Sequence, residues 1–144
     1  MIEKSRNILV CNWLLLITFL VATMIVVGGL TRLTDSGLSI TRWDLFSGIL
    51  PPLNNNEWEN LFILYQQIPE FKILKSSMTL DQFKVIFWWE FSHRMLGRVL
   101  GILYFFPLIY FNWRKLIPKR NLTSFYLIFF LILTQGLVGW YMVR

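Results

Sequence analysis

Cysteine and histidine are almost missing from this chain: Cys11 and His93 are the single examples of each. A lone cysteine rules out an internal disulfide and a thiolate metal cage within one polypeptide. Cys11 is therefore expected to pack as a small apolar residue. A zinc site needs three or four protein ligands, which one histidine without a neighbouring cysteine does not supply. Charge is scarce as well, at 15% of residues against roughly 25% in soluble domains. Apolar residues take its place, since 56% of the 144 residues are hydrophobic and 17% aromatic. One small core cannot hide that much apolar surface, and the same composition excludes disorder. The chain reads as an all-α integral membrane protein.

Basic residues outnumber acidic ones by 14 to 8, for a net charge of +6. In a soluble domain this excess would suggest nucleic acid. Here the positive residues flank apolar runs, the pattern of cytoplasmic anchoring, and no nucleic-acid partner is expected. Three spans are predicted, over residues 8–31, 85–111 and 121–143, each near the ~20 apolar residues a bilayer requires. The first lies among 25 uncharged positions between Arg6 and Arg32, and the last among 23 between Arg120 and Arg144. The first is too long for the apolar core of a signal peptide and no small-residue cleavage site follows it, so it reads as an anchor.

Loop charges predict orientation. The 53 residues from Arg32 to Lys84 carry five basic and six acidic side chains. The short loop 112–120 holds Arg114, Lys115, Lys119 and Arg120 and no acid. The positive-inside rule places the N-terminus and loop 112–120 in the cytoplasm, with loop 32–84 and the C-terminus outside. Within the long loop, Trp58, Leu61, Phe62 and Tyr65 recur at i, i+3, i+4, i+7 behind an Asn-rich start, and Pro69 closes the segment. That pattern predicts a short amphipathic helix against the outer membrane surface or capping the bundle. Thr79 and Gln82 form a capping-box pattern, so the middle helix is expected to begin near Leu80. Continued to Phe111 it would be about 48 Å long and project beyond the hydrocarbon, unless Pro107 bends it.

The middle span carries the chemistry. At 100° per residue Glu90, His93, Arg94, Gly97, Arg98 and Gly101 share an arc of about 140°. Each charge near mid-bilayer costs at least about 2.5–3.5 kcal/mol, so this face must meet protein, cofactor or water. His93 lies about 14 Å along the helix from Lys84, and Glu90 is one turn shallower. An imidazole in a helical bundle can ligate heme iron. Gly97 would leave room for a macrocycle, Arg94 and Arg98 could meet propionates, and Glu90 could accept a proton or steady a positive charge. Other readings stay open: a hydrogen-bonded structural histidine, a Glu90–Arg94 ion pair at i, i+4, and close helix packing at the G-x-x-x-G of Gly97 and Gly101. Packing is also the expectation for Gly28, Gly29, Gln135, Gly136 and Gly139. Trp43, Trp88, Trp89, Trp113 and Trp140 are expected at the membrane interfaces. Arg32 and Arg42 read as anchors, or as binders of an anion at the outer surface.

GGLTRLTDSGLSITRW (28–43), GILPPL (48–53), IPEF (68–71), FKVIFWWEFSHRMLGR (83–98) and QGLVGWYMV (135–143) together resemble the heme A synthase family, its alphaproteobacterial and mitochondrial-type branch most of all. The resemblance runs along nearly the whole chain. It implies oxidation of the heme O methyl substituent to the formyl group of heme A, for terminal oxidase assembly. It implies heme as cofactor, as the heme O substrate and/or heme b, with Glu90 as the catalytic acidic residue and His93 as an axial iron ligand. The family has eight helices in two four-helix halves, each with a histidine pair, and the branch lacks a loop cysteine pair. Against that plan the chain resembles an N-terminal portion, with three transmembrane helices of an incomplete four-helix-bundle half and a helical outer loop. The partner histidine and the remaining C-terminal helices are then expected from another chain or from self-association, and heme O synthase is a further expected partner. The expected location is the bacterial cytoplasmic membrane. A non-catalytic heme-binding or assembly subunit, or an inactive remnant of the enzyme, are the alternatives.

Overall fold

The computed structural model describes residues 2–41 and 47–142, with side chains for 8–41 and 48–142. The elements run α1 (Ile2–Leu33), a 3-10 turn (Ser47–Ile49), α2 (Asn55–Gln66), α3 (Pro69–Leu74), α4 (Leu80–Trp113) and α5 (Lys119–Met142). Among the described residues there is no strand. Three helices are long and apolar enough to cross a membrane, at Ile8–Leu33, Leu80–Trp113 and Lys119–Met142. The protein is an all-α integral membrane protein.

Local chemistry fixes the helix ends. Asn54 caps α2 by accepting from Glu57 N at 2.9 Å, and a Glu57 carboxylate oxygen accepts from Leu53 N at 2.8 Å. Pro69 does not simply close that helix. It opens α3 at a first-turn position, where its missing N–H costs nothing. The start of α4 is the capping box that Thr79 and Gln82 predict: Thr79 N donates to Gln82 Oε1 at 3.0 Å, and Gln82 N to Thr79 Oγ1 at 3.4 Å. From there α4 runs 34 residues, about 51 Å, and continues through Pro107.

Both α1 and α4 stop in the same way. After α1, Asp35 takes the left-handed conformation (φ 48°). Asp35 N then donates to Arg32 O at 3.1 Å, and Ser36 N to Thr31 O at 2.9 Å. After α4, Lys115 does likewise (φ 52°), with Lys115 N to Asn112 O at 3.0 Å and Leu116 N to Phe111 O at 2.8 Å. These are Schellman stops, made with non-glycine residues at the left-handed position. Lys75 Nζ secures the first of them by donating to Asp35 O at 2.6 Å.

The chain forms two compact bodies. One comprises the residues up to Ile25 with Leu96–Gly139, and the other Val26–Met95 with the residues from Trp140. The core of the first is Trp13, Ile17, Leu100, Tyr104, Leu108, Phe111 and Ile117. Trp13 stacks on Phe125 at 5.8 Å and 14°, and its Nε1 donates to Leu103 O at 2.8 Å. Tyr104 Oη donates to Phe125 O at 2.9 Å. The core of the second is aromatic too: Trp58, Tyr65, Phe71, Phe83, Ile86 and Phe87, with Ile40 packed against it. Cys11 is exposed on α1 rather than packed; on a span, that face is already in an apolar solvent.

Candidate functional site

Glu90 is the buried acid of the second body. Only 3% of it is exposed, and its position on a spanning helix makes an unpaired charge there costly. The fold supplies donors from the segment that follows α1. Turned back by the stop at Asp35, that segment brings Ser39 and Ile40 onto α4. Glu90 Oε2 accepts from Ser39 Oγ at 2.6 Å and from Ile40 N at 2.8 Å. Its Oε1 accepts from Arg94 Nη2, one helical turn along. The same Arg94 Nη2 donates to Ile40 O at 3.1 Å. Ile40 is thus held by both its N–H and its C=O, and its side chain sits against the aromatic core. Ser39 is buried, and its Oγ also lies 3.4 Å from Ile86 O.

Arg94 forms the ion pair with Glu90 that its spacing offers. Its guanidinium is engaged with Glu90 and Ile40. Charge-assisted bonds of this kind are roughly twice as strong as neutral ones.

His93 stands on the same helix, half-buried, and no hydrogen bond ties either ring nitrogen to a described residue. Its ring lies against α1 at Gly28, where a Cβ would come within 3.0 Å of Nε2. A methyl there would press the imidazole aside by a few tenths of an ångström. An untied imidazole on a glycine face of an apolar span has the donor chemistry of an axial iron ligand. In donor chemistry His93 suits heme iron.

The two glycines of α4 are loosely surrounded. A Cβ on Gly97 would meet only the Met24 methyl at 3.7 Å, an ordinary contact, and one on Gly101 would meet nothing within 4 Å. Close packing through that G-x-x-x-G pair does not occur among the described residues. Gly97 and Arg98 both belong to the first body. Arg32 is exposed at the end of α1, while Arg42 and Trp43 lie outside the described residues. Trp88 and Trp113 are exposed, as interfacial residues should be, and Trp89 and Trp140 are half-buried.

Spacing alone missed Ser39, Ile40 and Gly28. The available signal was the SGLSI run directly after a helix end, where two serines follow an aspartate able to adopt the left-handed conformation. Tyr65 of α2 was expected only as an apolar face residue. It is fully buried, its hydroxyl is without a hydrogen-bond partner among the described residues, and burial pushes its pKa up to about 12, aided by the charges of Glu70, Glu90 and Asp35.

The profile of the cytochrome oxidase assembly protein family (COX15-CtaA) matches residues 11–144. The chain belongs to that family. Among curated relatives, it is 52% identical to the heme A synthase of Pelagibacter ubique strain HTCC1062 over 133 residues, covering 91% of this chain and 39% of the relative. It is 49% identical to that of Maricaulis maris strain MCS10 over 140 residues, 97% of this chain and 40% of the relative. Against that of Rhodopseudomonas palustris strain ATCC BAA-98 / CGA009 the identity is 52% over 140 residues, 97% and 38%. The chain thus spans about two-fifths of the length of these relatives. No solved structure matches it.

Proposed function

We propose that this family member acts in heme A synthase activity, the oxidation of the heme O methyl group to the formyl group of heme A. The observation that carries this reading is the juxtaposition on α4 of His93, whose imidazole is untied to any described residue, with the buried and triply hydrogen-bonded Glu90. Relatives that bear the name heme A synthase are about 50% identical to this chain over 133 to 140 residues. In this reading His93 would hold the heme iron through a ring nitrogen, and the iron would supply the redox chemistry. Glu90 lies one turn from that nitrogen. It takes up a proton released from the substituent, or balances the positive charge that develops on it. Arg94 keeps the carboxylate in one orientation. The burial of Glu90 strengthens its electrostatic contacts. Loop 32–84 and the C-terminus then face the outside of the bacterial cytoplasmic membrane, and loop 112–120 faces the cytoplasm.

The test is expression in a host that makes heme O but no heme A, alone and alongside the portion of a relative that this chain does not cover. Extracted hemes are separated by chromatography. Heme A is expected from the wild-type protein and not from Glu90→Gln or His93→Ala. Heme bound without heme A formed in any combination would overturn the enzymatic reading and favour a heme-binding assembly role.

A further inference from the structure

Glu90 is held asymmetrically, and the asymmetry has a chemical consequence. A carboxylate offers about four acceptor sites, two on each oxygen. Among the described residues Oε2 takes two donors, Ser39 Oγ at 2.6 Å and Ile40 N at 2.8 Å, while Oε1 takes one, from Arg94. Oε2 is therefore saturated, and the open acceptor site lies on Oε1. A backbone N–H alone would leave Oε2 half-engaged and the carboxylate free to present either oxygen. The Ser39 hydroxyl supplies the second donor. It is well placed to do so without waste, because Ser39 is 2% exposed and has no solvent to compete for the bond.

The segment is built to keep that hydroxyl in place. The Schellman stop at Asp35 starts it, Lys75 ties the Asp35 carbonyl from α3, and Ser39 N donates to Ser36 O at 3.3 Å. At the far end Ile40 is fixed through its backbone by Glu90 and Arg94, and through its side chain by the aromatic core. Ser39 is the one side chain of the segment that donates directly to Glu90.

We propose that Ser39 is a positioning residue: by saturating Oε2 it commits Glu90 to exchange its proton, or meet developing charge, at Oε1. The inference rests on the heme A synthase reading for the nature of the reaction, but not for the hydrogen bond itself. Ser39 touches Glu90 and is not required to touch substrate.

Two readouts separate these levels. The first is the infrared carboxylate band of Glu90 in the purified protein, assigned by its disappearance in Glu90→Gln. It is expected to move in Ser39→Ala and to stay in place in Ser39→Thr, which keeps the hydroxyl. The second is heme A formation. Ser39→Ala is expected to lower kcat by about tenfold or more, from the loss of a bond to a charged group, with KM and the optical spectrum of bound heme unchanged and with Ser39→Thr restoring the rate. In a Glu90→Gln background Ser39→Ala should add nothing. If Ser39→Ala does not fold, Ser39→Cys, a weaker donor of similar shape, is expected to give the same band shift and a smaller loss of rate. A band that does not move overturns the proposal whatever the activity. So does an active Ser39→Ala protein with wild-type kcat, or a loss in Ser39→Ala that appears equally in KM and heme uptake. If the wild-type protein makes no heme A while the Ser39→Ala band still shifts, the enzymatic reading fails and the positioning of Glu90 stands.

Discussion

The two bodies of the protein are both cored by aromatic residues, yet they are stabilised differently. In the body built on Trp13 and Tyr104, polar groups serve to finish the packing: the indole N–H finds Leu103 O and the phenol finds Phe125 O. Any similarly shaped apolar neighbour would do nearly as well. In the body built on Tyr65 and Phe83, a charged pair, a serine and a backbone peptide are locked together at the edge of the core. Such a network is expensive to bury and weak evidence for stability alone. Its place on a spanning helix, one turn from a histidine with no hydrogen bond to a described residue, makes it the candidate site.

The sharpest way to break that contrast is Arg94→Ala. It strands Glu90 in a buried position and is expected to cost about 3–5 kcal/mol, read as thermal unfolding in detergent. Trp13→Phe, its counterpart in the scaffold, loses one hydrogen bond but keeps most of the ring contacts. About 0.5–1.5 kcal/mol is expected there. Equal losses at the two positions would erase the distinction.

A second comparison sharpens it within the glycines. Gly28→Ala pushes a methyl to within 3.0 Å of His93 Nε2, so the imidazole must shift by a few tenths of an ångström. The expected result is a changed spectrum of bound heme with little loss of fold. Gly101→Ala meets open space and is expected to gain up to about 1 kcal/mol from helix propensity, with no spectral change. Spectra that respond alike to both substitutions would remove Gly28 from the site.

The smallest effect concerns Tyr65. Its folded-state pKa, raised to about 12 from the ordinary 10.0, means that the unfolded chain gives up this proton first as pH rises. Stability from the neutral phenol is complete below pH 10 and is lost as pH climbs from there towards 12. Tyr65→Phe is expected to remove that part of the alkaline dependence, followed by protease resistance of the α2–α3 segment, and to be neutral or slightly stabilising at pH 7 because the hydroxyl lacks a partner. A steeper alkaline loss in Tyr65→Phe than in the wild type would contradict the assignment.

These features differ in how far they could be read from the chain itself. The spans, the start of α4 at Leu80 and the pairing of Glu90 with Arg94 all depend on residues a few positions apart. Periodicity and capping chemistry expose such relations directly. Pro69 was read as an ending when it is a beginning, because proline suits both a break and a first helical turn. Ser39 lies 51 positions from Glu90. That contact exists only because Asp35 adopts a conformation for which glycine is the usual signal. At Gly28 packing is legible in the sequence but its partner is not, because His93 is on another helix. Local rules see a helix and its face, but what that face meets is decided by where the chain turns back.

His93, as proposed, would hold the iron of a heme beside Glu90. The optical spectrum of heme in the purified protein, before and after His93→Ala, tests this most directly. A shift or loss of the bands sensitive to axial ligation is expected; a spectrum that survives the substitution unchanged would contradict the claim.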